Sequence, residues 1–270
     1  MNYSDLTLTA IHAAMQAGDL LQKGYETSFQ IEKKEGGDHN LVTEYDKLSE
    51  KTIISFIREK YPSHQFLAEE GGKQGKDSDV LWIIDPLDGT VNFSRSIPIF
   101  SVSIAAMVKG EVVSGVVYHP ILKELFTAEK GKGSYRNGKR LSVSRETQME
   151  KSMIVTGFPY NVKENPEHCI DHIAHFLSHG YPIRRLGSAA LDLSYVAAGR
   201  FEAYFEASLQ PWDIAAGQLI VEEAGGKLTN YHGKQRDVLS TESMLATNSY
   251  LHSTYIQQLE QYDHRWKQGR

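Results

Sequence analysis

The sequence is nearly devoid of cysteine: Cys169 is the single one in 270 residues. One thiol cannot close an internal disulfide, so the chain is stable without one and suits a reducing compartment. Nothing Gly-rich or basic surrounds Cys169, so it does not read as an activated nucleophile. No apolar run approaches the roughly 20 residues of a membrane helix. Met1-Asn2-Tyr3-Ser4-Asp5 lacks the basic and apolar regions of a secretory leader, and the expected location is the cytoplasm, away from membranes. Positive charge is not in excess either. Lys plus Arg is 29 against 34 Asp plus Glu, a net charge of −5, which argues against a protein that holds nucleic acid by bulk charge. Low-complexity segments, internal repeats and a flexible linker are also missing. What remains is an ordinary globular composition, 40% hydrophobic and 23% charged, with material for one large core. The expectation is a single domain over 1–270, with an N-terminal half to about residue 150 and a C-terminal half beyond it.

The pattern along the chain is mixed. Leu8, Ile11, Met15 and Leu21 recur at near-helical spacing and predict a first helix. A polar loop at Glu35 to Asn40 precedes a second helix over Tyr45 to Glu59, with Ile53, Phe56 and Ile57 on its buried face and Pro62 as its stop. Val80-Leu81-Trp82-Ile83-Ile84 is a short apolar run of the kind covered on both faces of a sheet. Ser101 to Val108 and Glu111 to Tyr118 predict a hairpin turning at Lys109-Gly110, and further turns are marked by Gly131 to Gly133 and Asn137-Gly138. The second half alternates. Strands are predicted at Met153 to Thr156, Ile183 to Leu186, Phe201 to Phe205 and Met244 to Ala246. Helices are predicted at Glu167 to Leu177, Ala189 to Ala198 and Trp212 to Ala224, with a terminal helix and a frayed tail from His264. Layered helices and sheets, in two halves that share one cleft, follow from this order.

The chemistry concentrates where the apolar strand ends, at Asp85-Pro86-Leu87-Asp88-Gly89-Thr90. Pro86 fixes its own φ and favours an extended Asp85, and Gly89 permits a conformation closed to other residues. Such a turn can hold both carboxylates and the Leu87 carbonyl at one point, and these are hard oxygen donors of the type Mg²⁺ takes. A short helix starting at Thr90 would aim free N–H groups at an anion. The plainer reading is a turn whose acids cap backbone amides. Against it, two carboxylates about 4 Å apart repel by about 4 kcal/mol at an effective dielectric near 20. A divalent cation would remove that cost.

Asp85-Pro86-Leu87-Asp88-Gly89-Thr90-Val91-Asn92-Phe93 resembles the first signature of the inositol monophosphatase family. Trp212-Asp213-Ile214-Ala215-Ala216-Gly217, followed by Glu223-Ala224-Gly225-Gly226, resembles the second. The intervening segments are similar in order: Leu41-Val42-Thr43-Glu44-Tyr45-Asp46, Leu67-Ala68-Glu69-Glu70, Gly187-Ser188-Ala189-Ala190 and Phe201-Glu202-Ala203-Tyr204-Phe205-Glu206. The resemblance implies an α+β fold, a layered αβαβα sandwich of the sugar phosphatase type. It implies two to three Mg²⁺ ions held by Glu69, Asp85, the Leu87 carbonyl, Asp88 and Asp213, with Asp46, Thr90 and Glu69 serving catalysis. Substrate would be held by Asp88, Gly89, Thr90, Gly187, Ser188, Ala189, Glu206 and Asp213. It further implies lithium sensitivity, a homodimer, and a small phosphorylated polyol or sugar as substrate. One of Lys33 and Lys34 corresponds to a family lysine near the metals, or is simply a surface lysine.

Each of these residues also has a structural reading. Asp46 and Asp213 can be helix N-terminal acids, and Glu69 and Glu70 solvated loop acids. Arg184 and Arg185 are candidates to touch phosphate or a partner subunit, although exposed strand arginines usually do neither. Two alternatives stay open on function. One is a fructose-1,6-bisphosphatase or 3′-phosphoadenosine 5′-phosphate phosphatase on the same scaffold. The other is a non-catalytic protein that binds metal or phosphate for regulation.

Overall fold

A computed structural model of the chain describes residues 3–33 and 40–261. Lys34, most of the predicted 35–40 loop and the predicted frayed tail lie outside the described residues.

Two helices open the fold. Helix α1 (Asp5–Gly24) is capped by Ser4, whose hydroxyl accepts from the Thr7 amide. After the paired strands β1 (Ile31–Lys33) and β2 (Leu41–Thr43), Thr43 caps helix α2 (Glu44–Lys60), which ends two residues before Pro62. Only part of the apolar spacing marks the buried face of α1. Leu8 and Met15 are exposed, and Ala10, Ala13, Ala14 and Ala17 do the packing beside Ile11 and Leu21. Small side chains let α1 approach both α2 and the sheet beneath closely.

That sheet has eight strands: β3 (Gln65–Ala68), β4 (Gly72–Gln74), β5 (Val80–Asp88), β6 (Ser101–Val108), β7 (Glu111–His119), β8 (Glu124–Glu129), β9 (Gly133–Arg136) and β10 (Lys139–Arg140). Their order is β10-β9-β8-β7-β6-β5-β3-β4, antiparallel except for β3 beside β5. The β6–β7 turn is Lys109-Gly110 as expected, with both φ angles positive. The predicted turn at 85–90 is different: β5 continues through Pro86 and Leu87 to Asp88. Asp85 faces Ser103 and Asp88 faces Ser101, so β5 carries one extra residue, a bulge. Bulges re-aim side chains, and this one turns both acids toward the sheet end. Gly89 (φ 98°) then breaks the strand into the one-turn helix α3 (Thr90–Ser94); a Cβ there would also lie 3.0 Å from the Ile99 carbonyl.

The second half builds five strands, β11 (Ile154–Thr156), β12 (Ile183–Arg184), β13 (Ala203–Glu206), β14 (Lys227–Thr229) and β15 (Met244–Thr247), in the order β12-β11-β13-β15-β14. Helices α4 (Cys169–Ser178), α5 (Ala189–Ala197), α6 (Pro211–Glu223) and α7 (His252–Glu260) complete it. The predicted strand to Leu186 stops at Arg184, because Arg185 and Leu186 leave the sheet for the positive-φ Gly187.

Alternation along strands creates three cores. Trp82 and Ile84 face α1 and α2 with Ile53, Ile57 and Phe66. Ile83, Ala105 and Val117 face α5 and α6, whose far sides meet Tyr204, Met244 and Ala246 of the second sheet. Ala203 and Phe205 point the other way, to Phe176 of α4 and Tyr255 of α7. The layers therefore run helix, sheet, helix, sheet, helix: the expected αβαβα sandwich.

Helix α6 lies on the first sheet at Gly115, where an added Cβ would sit 2.7 Å from the Ala216 carbonyl oxygen. Gly115→Ala is therefore predicted to cost about 1–3 kcal/mol, the usual range for overpacking. Urea unfolding checks this; an unchanged midpoint would mean the helix yields freely.

Candidate active site

The bulged end of β5, helix α3, the start of α5, the end of β13 and the start of α6 meet around one cleft of about 630 Å³. Glu69, Asp85, Leu87, Asp88, Gly89, Thr90, Gly187, Ser188, Ala189, Glu206 and Asp213 all line it. The two halves share it, since these residues come from both sheets and from the helices between them. Asp46 does not line the cleft but reaches it through Thr90, whose hydroxyl donates to Asp46 Oδ1 at 2.8 Å. The Leu87 carbonyl oxygen is 3.0 Å from the same hydroxyl.

Asp46, Asp85, Asp88 and Asp213 are each anchored by backbone or hydroxyl donors. Asp46 is the third residue of α2, and its Oδ2 accepts from the Thr43 amide at 2.7 Å and the Thr43 hydroxyl at 2.5 Å. Asp213 occupies the same position in α6 and accepts from the Gln210 amide at 2.7 Å. Asp85 Oδ1 accepts from the Leu87 amide at 3.0 Å. Asp88 sits at the N-terminus of α5. Its Oδ2 takes the Ser188 hydroxyl at 2.5 Å, the Ala190 amide at 2.9 Å and the Ser101 hydroxyl at 3.2 Å. Its Oδ1 takes the Ala189 amide at 3.1 Å. These acids do accept from backbone amides, as the plainer reading has it, and Asp85, Asp88 and Asp213 line the cleft as well.

Their electrostatics are unfavourable for anions. Burial pushes the Asp85 carboxyl well above the usual range, and the charges of Glu69, Asp88 and Asp213 push it further. Asp213 is raised well above its ordinary value by burial and then by Glu69 and Asp88. Asp88 and Asp46 are raised by burial against the pull of their hydrogen bonds. Among the described residues no three His, Cys, Asp or Glu side chains form a ready-made cation cage. What converges is negative charge on hard oxygen donors, disfavoured by burial and mutual repulsion. That donor set fits divalent cations such as Mg²⁺, whose charge offsets both costs.

Sequence reasoning missed part of the wall. Asp192 lines the cleft and is buried on α5, one turn beyond Ser188; an acid inside the otherwise apolar run Ala189 to Ala197 was its signal. The Tyr204 hydroxyl donates to Glu206 Oε2 at 2.5 Å, and burial lifts Glu206 to about 7. Arg185, a candidate for phosphate contact, is exposed as expected but lies just beyond the strand, and it lines the cleft with its guanidinium 5.9 Å from the Phe158 ring centre. Arg184 is exposed and donates to the Ile183 carbonyl. Lys33 is exposed on β1.

Comparison with known proteins places the sequence and the fold among relatives. Residues 2–264 match the profile described as the inositol monophosphatase family. The Nus factor SuhB of Escherichia coli strain K12 is 44% identical over 240 residues, covering 88% of this chain and 90% of that protein. The inositol monophosphatase structure from Anabaena sp. PCC 7120 superposes with a TM-score of 0.84 at 38% identity, covering 96% of both chains. A structure described as an IMPase/NADP phosphatase complexed with Mg²⁺ and phosphate superposes at 0.81 with 25% identity, covering 96% of this chain and 97% of that one.

The raised carboxyls carry a linkage consequence. An acid whose pKa is higher folded than unfolded binds more protons in the folded state, so stability falls as pH climbs from the ordinary carboxylate range toward the raised value. In EDTA, wild-type protein is therefore predicted to lose Tm, relative to Asp85→Asn at each pH, as pH rises from about 4. Mg²⁺ should flatten the wild-type slope and leave the variant unaffected. Identical curves for the two proteins in EDTA would remove the electrostatic argument.

Proposed function

The chain belongs to the inositol monophosphatase family, and on that premise we propose that it hydrolyses a small phosphate monoester of a polyol or sugar, myo-inositol 1-phosphate or a close analogue, with Mg²⁺. The observation that carries this reading is the convergence of Glu69, Asp85, Leu87, Asp88, Asp213 and the Asp46–Thr90 pair on one cleft.

In this reading Glu69, Asp85, the Leu87 carbonyl, Asp88 and Asp213 hold two to three ions. When bound, such ions neutralise the phosphate dianion and make hydroxide accessible from water near neutral pH. The protein's own groups then divide the remaining work. Asp46 Oδ2 is fixed by both donors of Thr43, which leaves Oδ1 for the Thr90 hydroxyl. Thr90 Oγ can accept a proton from the attacking water while passing its own to Asp46, so the pair acts as a general base. Glu69, on the cleft wall facing Asp85, orients that water. The Gly89 and Thr90 amides, at the start of α3, hold phosphate oxygens. Ser188 positions Asp88, and Gly187 lets the loop pass beside the leaving group. Ala189 and Glu206 meet the leaving group itself. No covalent phosphoenzyme is needed.

One observation bears on the bisphosphatase alternatives. Arg185 is the single Lys or Arg lining the cleft among the described residues, and one cation favours a monoester over a substrate with a second phosphate. The E. coli relative's name, Nus factor, speaks for partner binding in that protein. An intact Asp46–Thr90 pair speaks for catalysis in this one. Lithium inhibition and a homodimer belong to the same proposal, read by LiCl titration and by light scattering.

Thr90→Ala is predicted to lower phosphate release by about 10²–10⁴-fold, the contribution typical of general-base catalysis. Thr90→Ser, which keeps the hydroxyl, should recover most of it. The check is phosphate release from inositol 1-phosphate with and without Mg²⁺. Equal turnover by Thr90→Ala and wild type would remove the pair from the mechanism.

A further inference from the structure

We propose that Asp192 is a specificity-determining residue whose carboxyl group, together with that of Glu206, hydrogen-bonds hydroxyls of the leaving alcohol. The proposal rests on the phosphatase reading and deepens it, by assigning a polyhydroxylated leaving group to the α5–β13 wall of the cleft.

Asp192 is 1% exposed, and its Oδ1 is buried with no hydrogen-bond partner among the described residues. A buried carboxylate oxygen left unpaired is costly, and native proteins rarely keep one without a use. This residue also lines the cleft, so its neighbours on one side are the protein and on the other the space for a ligand. It is not needed to brace Asp88, whose two oxygens are taken by Ser101, Ser188 and the Ala189 and Ala190 amides. Burial holds the Asp192 carboxyl well above its ordinary range, the charges of Asp88 and Glu206 push it further and Arg185 pulls it back, so it meets a ligand as an acid with one acceptor and one donor.

Glu206 supplies the second acceptor. Tyr204 holds its Oε2. Gly157, also on the cleft wall, makes room for it: a Cβ at Gly157 would stand 2.0 Å from Oε2 and 2.8 Å from Oε1. A wall with two carboxylates and one guanidinium has acceptors for hydroxyl donors. It offers little to a leaving group without hydroxyls. Sites that hydrogen-bond a substrate hydroxyl reject analogues lacking it, because their own polar groups are then left unpaired.

The test uses the full chain with Mg²⁺ and two esters, myo-inositol 1-phosphate and p-nitrophenyl phosphate, for wild type and Asp192→Asn. The expected result is a KM for the inositol ester raised about 3- to 10-fold, the range for a neutral hydrogen bond, because the amide keeps an acceptor but presents fixed donors to the substrate hydroxyls. Turnover of the nitrophenyl ester should stay within about twofold. Asp192→Ser serves if the amide destabilises the protein, with Tm recorded for each variant. Parallel losses on both esters with a lowered Tm would show a structural role and overturn the proposal. An unchanged inositol KM would overturn it too, while wild-type turnover left the phosphatase reading standing. No turnover of either ester by wild type would sink both.

Discussion

Repulsion among carboxylates gathered at one buried edge is the constraint on which the rest of this structure depends. Burial shifts Asp85 and Asp213 against ionisation, and the charges of Glu69 and Asp88 shift both further, with Asp213 adding to the effect on Asp85. The fold meets this cost in part with backbone dipoles. Asp46, Asp88 and Asp213 each sit at the N-terminus of a helix, namely α2, α5 and α6, and each accepts one or more amide hydrogens there. A helix N-terminus contributes about 0.3–1 kcal/mol to an anion, up to about 2 when partly buried. That is less than the repulsion of even one close pair of carboxylates. Three helix ends therefore position the acids without neutralising them, and in the proposed reading the remaining charge is what holds the metal.

Anchoring and function use different oxygens of the same side chain. Asp213 gives one oxygen to Gln210, and Asp85 gives one to Leu87. Asp46 gives Oδ2 to Thr43 and Oδ1 to Thr90. Capping an amide and serving the cleft are thus one arrangement. A carboxylate has about four lone-pair sites, so a cap fixes its plane and leaves acceptors over. Asp88 is the exception. Three donors crowd its Oδ2, and only Oδ1 has capacity left. It braces the start of α5 against the end of β5, tying the two halves of the cleft together.

Much of this was legible because strong local signals coincide with tertiary ones. The run Val80 to Ile84, the Lys109-Gly110 turn and the helix ending before Pro62 each reflect chemistry that no distant contact opposes. The acids were legible through paired signatures. Other features depend on contacts that no window of sequence contains. The strands Ile31–Lys33, Gly72–Gln74 and Lys227–Thr229 are three residues each, too short to show alternation. Pro86 and Gly89 read as breakers, yet Ser101 and Ser103 on β6 keep β5 in register through Asp88 with a bulge. Leu8 and Met15 share the apolar spacing of α1 yet are exposed, because closeness to the sheet turns the alanine face inward. Asp192 became a site residue only when α5 was set beside β5.

The architecture assigns rigidity and variation to different layers. The charged edge is carried by β5, whose neighbours β3 and β6 pair along its length and whose two faces pack in separate cores. The opposite wall comes from loops and ends: 157–161, 185–189 and the last residue of β13. Such segments tolerate exchange, since few backbone hydrogen bonds depend on them. Metal and phosphate chemistry needs fixed geometry, whereas recognition of the leaving alcohol needs only a few acceptors at the right depth. On the proposed function, the phosphate-splitting apparatus therefore belongs to the first sheet. The identity of the alcohol is written on the second, in Glu206 and the helix turn that carries Asp192.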